Sequence, residues 1–200
     1  MLYLGVNSPP MLNFLVLLIV FLIFSLVFFV VIRGILNKIP IIGKPPVKTV
    51  FFITAKMMVV VNLTFLVMAG LNIKLNALFD PVFALRLIAL VLLVTGTAIL
   101  YVTTIQLNKD LIFGLPDSEK GRLQTKGLFA FSRHPFYLGF ILILFSSCLL
   151  YPNPLNITAF LTAWIIHHFI MIEEEKFLET VYGEEYRIYR QKVGRYLTIK

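Results

Sequence analysis

The sequence predicts an all-α polytopic membrane bundle of about five transmembrane helices with a C-terminal amphipathic helix lying at the interface. Three observations lead there. The 200 residues are 59% hydrophobic with mean hydropathy +0.91, far above a soluble domain. The apolar residues gather into five stretches, and four of these reach the ~17–25 residues a helix needs to cross hydrocarbon. Lysine and arginine then alternate between the connections. No alternating barrel pattern appears, so backbone satisfaction in lipid requires helices.

The first stretch, Leu12 to Ile32, lacks a basic flank before it and a small-residue cleavage site after it, so it reads as a retained span rather than a signal peptide. The second runs from Val50 to Gly70 and the third from Val82 to Thr104. Within these, Lys56 and Arg86 lie near helix ends and read as snorkelling residues, while Asn62 is nearer mid-span and reads as a bond to a neighbouring helix. The fourth, Phe136 to Tyr151, is short and reads as sunk or packed inside the bundle. The fifth runs from Leu155 to Ile172.

The connections give the orientation. Basic residues number none before Leu12, four in the first loop (Arg33, Lys38, Lys44, Lys48) and one in the second (Lys74). The third loop has five (Lys109, Lys120, Arg122, Lys126, Arg133), the fourth none, and the tail six (Lys176, Arg187, Arg190, Lys192, Arg195, Lys200). This predicts five spans with the N-terminus outside and the C-terminus in the cytoplasm. The net charge of +8 is mostly this signal plus attraction to anionic headgroups. Nucleic-acid binding is a poor reading, because the basic residues form no stripe with interleaved aromatics. Cys148 alone excludes an internal disulfide and reads as a small core residue. Nothing points to an obligate protein partner.

The chain divides into a scaffold of three helices, residues 1–107, and a half richer in chemistry, residues 108–200, within one membrane domain. The loop from Asn108 to Thr125, with Gly114, Pro116 and Gly121, is long for a helix connection and of the kind that carries function. Arg133-His134-Pro135 follows. Pro135 suits the first turn of the fourth helix, which places Arg133 and His134 at a helix N-terminus, a setting suited to an anion such as a carboxylate. Arg133 alone would read as a headgroup anchor. With Tyr137 and Gly139 one turn on, the group reads as a site.

The triple acid Glu173-Glu174-Glu175 closes the hairpin on the same side. His167 and Glu174 are seven apart, as are His168 and Glu175, so one pair is expected to face the bundle and the other to face away. The spacing matches no metal-ligand pattern, and no metal is expected. Leu178, Tyr182, Tyr186, Tyr189 and Val193 then recur at the spacing of an amphipathic helix, and Gly183 is expected to loosen or break it there.

These residues carry a resemblance. From Leu123 to Tyr196 the chain resembles the catalytic half of the isoprenylcysteine carboxyl methyltransferases and their relatives, the phospholipid N-methyltransferases. The matching elements are Gly127, Phe129 and Phe131, then Arg133-His134-Pro135 with Tyr137 and Gly139, then Glu174-Glu175, and finally Tyr182-Gly183, Tyr186, Tyr189, Val193 and Arg195. The resemblance implies an integral-membrane methyltransferase that uses S-adenosylmethionine and a lipophilic acceptor bearing a carboxylate, thiol or amine, with membrane lipid around it and the site facing the cytoplasm. It implies His134, Arg133 and Glu174 at the catalytic centre. Around the cofactor it implies Arg133, His134, Pro135, Tyr137, Gly139, Glu174, Glu175, Tyr186 and Tyr189, and near the acceptor His167, His168 and Arg195. An aromatic face favours a sulfonium cation. Where carboxyl methyltransferases often carry a substrate arginine before the acid pair, this chain has Ile170. Two other classes compete: an NADPH-dependent reductase related to the much longer sterol reductases, and a non-catalytic helical protein whose charges serve topology alone.

Overall fold

In the computed structural model the apolar stretches become helices whose ends follow from local chemistry. The structure describes residues 9–38, 40–73, 75–108, 111–115 and 122–198. Lys74, Lys109, Pro116, Lys120, Gly121 and Lys200, which entered the sequence reading, lie outside the described residues.

Helix α1 spans Pro10–Asn37, with proline in its first turn and Lys38 in the left-handed conformation at its end. Helix α2 spans Thr49–Gly70 and α3 spans Phe83–Leu107. A 3-10 turn, Gly127–Ala130, precedes α4, Pro135–Leu150. Helix α5 spans Pro154–Tyr182, and Asn153 caps it by accepting a hydrogen bond from the Leu155 N–H at 2.9 Å. Helix α6 is Glu184–Lys192.

Four of these helices are long and apolar enough to cross a bilayer, and α4 is a shorter apolar helix of 16 residues. The chain is a polytopic integral membrane protein. Its core joins Val16, Ile23, Leu66, Leu93, Leu100 and Ile143, while Phe14, Phe21, Phe28, Val91 and Ile165 lie on the outer surface, as lipid allows. Contacts between the connections show which of them share an end. Residues 41–44 pair with 113–115 through Gly43 N–H to Phe113 O (3.0 Å) and Leu115 N–H to Lys44 O (2.8 Å). The Arg133 N–H donates to Gly194 O at 2.9 Å. The first loop, the third loop and the tail therefore meet at one end. At the other end, Leu78 N–H donates to Pro152 O and Asn153 Nδ2 to Leu75 and Asn76 carbonyls. Short α4 thus traverses the bundle like the others.

Helix α3 lies along α4, and the crossing is made by two glycines. A Cβ placed on Gly139 would stand 2.7 Å from Gly96 O, and one on Gly96 would stand 2.6 Å from Gly139 O. Only hydrogen side chains permit this approach. Where α4 turns into α5, Asn62 Nδ2 donates to Asn156 Oδ1 at 2.7 Å, Ser147 Oγ donates to Asn62 O at 2.9 Å, and Asn156 Nδ2 donates to Tyr151 O at 3.0 Å. This realises the interhelical role expected of Asn62. Asn156→Leu is expected to lower stability in detergent by about 1–2 kcal/mol, read as a drop in thermal midpoint. An unchanged midpoint would mean that these bonds are replaced without cost.

One sequence expectation needs correction here. Arg86 does not snorkel: it is buried and its Nε donates to Pro81 O at 2.8 Å. The tyrosine stripe breaks at Gly183 as expected: α5 continues to Tyr182, Gly183 takes φ +53°, and α6 starts afresh. The stripe still works as a face. Tyr186, Tyr189 and Val193 pack on Leu123, with Leu178 and Tyr182 against them.

Candidate functional site

Pro135 opens α4, and His134, just before it, stands at the helix N-terminus. The backbone N–H of His134 donates to Ser132 Oγ at 3.1 Å, and Ser132 Oγ in turn donates to Arg195 O at 3.1 Å. The tail thereby braces the Arg-His-Pro segment. From there the His134 ring reaches both acids of α5: Nε2 lies 3.2 Å from Glu175 Oε1, and Nδ1 lies 3.7 Å from Glu174 Oε2. Tyr137, on the first turn of α4, donates its hydroxyl to Glu174 Oε1 at 2.6 Å. Residues 133–137 and 174–175 therefore form one buried cluster, as the bracketing of the hairpin predicts.

The heptad expectation for the acids fails. Glu174 and Glu175 both enter the cluster. Neighbouring helical positions diverge by roughly 100°, and two glutamate side chains can bend to a partner lying between them. Glu175 carries the larger load. It receives Arg133 Nη2 at 2.8 Å, His134 Nε2 at 3.2 Å, Arg195 Nε at 2.7 Å and Arg195 Nη2 at 3.0 Å. Its side chain is 4% exposed, against 19% for Glu174. Glu175 is a hub, and Glu174 is the acid with acceptor capacity left over.

Other expected site residues find different work. Arg133, expected to take an anion, is engaged at Nε and Nη2 by Glu175, while Nη1 donates to Arg190 O (3.2 Å) and Val193 O (2.7 Å). It fastens the end of α6 to α5. Gly139 turns toward α3 rather than the cluster and serves the glycine crossing. Tyr189 donates its hydroxyl to Phe129 O at 2.6 Å, holding α6 on the 3-10 turn. His168 meets Tyr196, with Nδ1 2.7 Å from the hydroxyl and the rings stacked 5.9 Å apart. Arg195 is clamped on Glu175, which raises its pKa above the ordinary arginine range. Pro135 stands where expected, in the first turn of α4.

His167 does belong with the cluster. It is buried between the rings of Tyr137 (5.7 Å) and Phe140 (5.4 Å). Its Nδ1 lies 2.7 Å from Ala163 O. A carbonyl only accepts, so Nδ1 carries the hydrogen and, in the neutral ring, Nε2 keeps its lone pair. Tyr186 is fully buried, and its hydroxyl has no hydrogen-bond partner among the described residues. Burial first, then the Glu175 charge, push this hydroxyl up to about 12, so it stays protonated at any physiological pH.

Sequence reasoning gave Lys56 no place near the site, and the residue is half-buried there. Its ammonium lies 5.0 Å from the Phe52 ring centre and 5.8 Å from that of Phe113. Phe113 in turn packs on Phe136 at 5.5 Å, and Phe136 lies 6.3 Å from Tyr137 of the cluster. The available signal was the rarity of an ionisable residue inside an apolar span.

A membrane helix bundle with an acid–histidine–arginine cluster at one end defines the class of the molecule. Residues 85–185, half of the chain, match the sequence model of the phospholipid methyltransferase family, and the chain belongs to that family. It is 29% identical over 124 residues to methanethiol S-methyltransferase 1 of Bradyrhizobium diazoefficiens, covering 58% of this chain and 42% of the relative. It is 38% identical over 73 residues to protein-S-isoprenylcysteine O-methyltransferase of Saccharomyces cerevisiae, covering 36% of this chain and 30% of the relative. A probable protein-S-isoprenylcysteine O-methyltransferase of Oryza sativa subsp. indica is 36% identical over 76 residues, covering 38% and 40%. The chain thus spans less than half the length of these relatives.

Proposed function

We propose that the protein is an S-adenosylmethionine-dependent methyltransferase acting on a lipophilic acceptor, with its N-terminus outside, its C-terminus in the cytoplasm and its site facing the cytoplasm. The observation that carries this reading is the convergence of His134, Tyr137 and Glu174 inside the family-matched region, with the unpaired, buried Tyr186 hydroxyl one residue beyond it in sequence. The clustering of the basic connections at the site end supports the orientation.

The residues fit the cofactor. A buried hydroxyl with no partner costs about 1–3 kcal/mol, and a ligand oxygen or nitrogen at Tyr186 would recover it. Glu174 suits an ammonium or ribose hydroxyls, and the α4 N-terminus with His134 suits a carboxylate. S-adenosylmethionine, when bound, supplies a methyl group on a sulfonium. Glu174, Tyr137 and His134 would hold it, Glu175 and Arg133 would keep those three in register, and the apolar walls would exclude water. A carboxylate or thiolate acceptor needs no base. An amine or thiol does, and His167, whose Nδ1–H tautomer leaves the Nε2 lone pair to accept a proton, could take it.

The test is a thermal-shift titration with S-adenosylhomocysteine, with NADPH as comparator. Saturable stabilisation by S-adenosylhomocysteine alone is expected. His134→Ala and Glu174→Ala should each abolish it while detergent stability stays nearly intact. Undiminished binding in both variants, or stabilisation by NADPH alone, would defeat the reading.

A further inference from the structure

We propose that the cleft at the end of the bundle away from the acid–histidine cluster binds the phosphodiester of a phospholipid headgroup, with Arg86 as its cation. The proposal does not depend on the methyltransferase reading.

Arg86 is 9% exposed and lies near the start of α3, and nothing in the fold accounts for burying a charge there. Its Nε donates to Pro81 O at 2.8 Å, and among the described residues its side chain makes no other hydrogen bond. Among those residues no carboxylate comes within ion-pair distance of it. A guanidinium carries five N–H donors, so most of its capacity is left over. A buried charge with so little to meet it is costly, and within a membrane bundle it marks a ligand site.

The Arg86 side chain borders a cleft of roughly 440 Å3, part of it open to solvent. The other walls include Leu12 and Asn13 of α1, Ala77 and Asp80 of the α2–α3 connection, and Tyr151 between α4 and α5. Hydrogen bonds fix these walls: Leu78 N–H donates to Pro152 O at 2.7 Å, and the Tyr151 hydroxyl donates to Leu75 O at 3.0 Å. Helix α3 starts there with no capping side chain and no acid in its first turn. The N-terminus of this 25-residue helix therefore adds positive potential to that of Arg86. Together they select an anion.

Three features favour a lipid headgroup over a free ion. The ends of α1, α2, α3 and α4 meet at the cleft, which puts it where hydrocarbon gives way to headgroups. Phe79, Val82 and Phe83, beside it, are each more than half exposed, as contact with lipid chains allows. Asp80 lines the same cleft as Arg86. One cation and one acid together suit a singly charged phosphodiester and disfavour a phosphate dianion.

The experiment is a thermal-shift titration of the delipidated full chain in dodecylmaltoside with three probes: dihexanoylphosphatidylcholine, dihexanoylglycerol and inorganic phosphate. The phosphatidylcholine should raise the thermal midpoint saturably, and the other two should leave it in place. Arg86→Met removes the cation, and Ala77→Trp fills the cleft while keeping Arg86. Each should weaken the phosphatidylcholine response by about tenfold or more. No phosphatidylcholine response in the wild type, or one that both variants keep, overturns the proposal. An equal response to dihexanoylglycerol reduces it to apolar contact and overturns it too. An equal response to phosphate makes the cleft a free-ion site and overturns the lipid assignment. If Arg86→Met fails to fold, Ala77→Trp alone decides.

Discussion

Glu175→Ala is expected to lower the stability of the protein in detergent by about 3–5 kcal/mol and to abolish S-adenosylhomocysteine binding. The reason lies in what remains. Arg133, with a side chain 9% exposed, and Arg195, at 26%, both direct their guanidinium groups at this one carboxylate, and His134 joins them. Removing the acid leaves two cations facing each other with little water to screen them. The damage should spread, because Arg133 also holds the Arg190 and Val193 carbonyls, and those fix the end of α6. Glu175→Gln keeps one acceptor oxygen but aims an NH2 at a guanidinium, so about half the loss is expected. Glu174→Ala supplies the contrast. Glu174 is met by a tyrosine hydroxyl and, at 3.7 Å, by His134, so its loss should abolish ligand binding and spare the fold. Denaturant unfolding and ligand titration of the same three preparations separate the two roles. If Glu175→Ala proves as stable as the wild type, the hub assignment fails.

That contrast was not readable in the sequence, although much around it was. The five apolar helices announce themselves because lipid imposes one crude requirement, about 20 apolar residues, that composition meets directly. The meeting of Arg133-His134 with the acids follows from counting crossings. What the hairpin does not specify is the rotation of α5 about its axis, and that rotation decides which acid is the hub. The tail is a similar case. Gly194 and Arg195 brace Arg133 and Ser132 through backbone carbonyls, and a carbonyl leaves no mark in a sequence. Lys56 did leave a mark, but a lysine near a helix end has an innocent explanation in snorkelling. Only the pairing of the first and third loops, which seats Phe113 against it and Phe136, shows what it meets. The packing of Gly139 was hidden for a related reason: its place one turn after Pro135 suggests the site, and its partner, Gly96, lies on another helix and in a different part of the chain.

Gly139→Leu should therefore abolish ligand binding without removing any polar group. A Cβ at Gly139 meets Gly96 O at 2.7 Å and Ile99 side-chain carbons at 3.0 and 3.1 Å, so the first atom of any larger residue already collides with backbone. Backbone cannot rotate out of the way as a flexible side chain can, and α4 must move off α3. Overpacking a well-filled contact costs about 1–3 kcal/mol even where neighbours can relax, which sets the expected loss for Gly139→Ala; Gly139→Leu should exceed it. Helix α4 begins four residues earlier, at Pro135, and carries Tyr137 on its first turn. Its displacement would pull the Tyr137 hydroxyl out of its 2.6 Å bond to Glu174 and shift His134 away from both acids. Gly96→Leu, made from the other side of the same crossing, should reproduce the effect although Gly96 stands far from the cluster in sequence. Titration of both variants with S-adenosylhomocysteine, alongside their thermal midpoints, tests the claim. Wild-type affinity in either leucine variant would show that the site does not depend on how closely α3 and α4 approach.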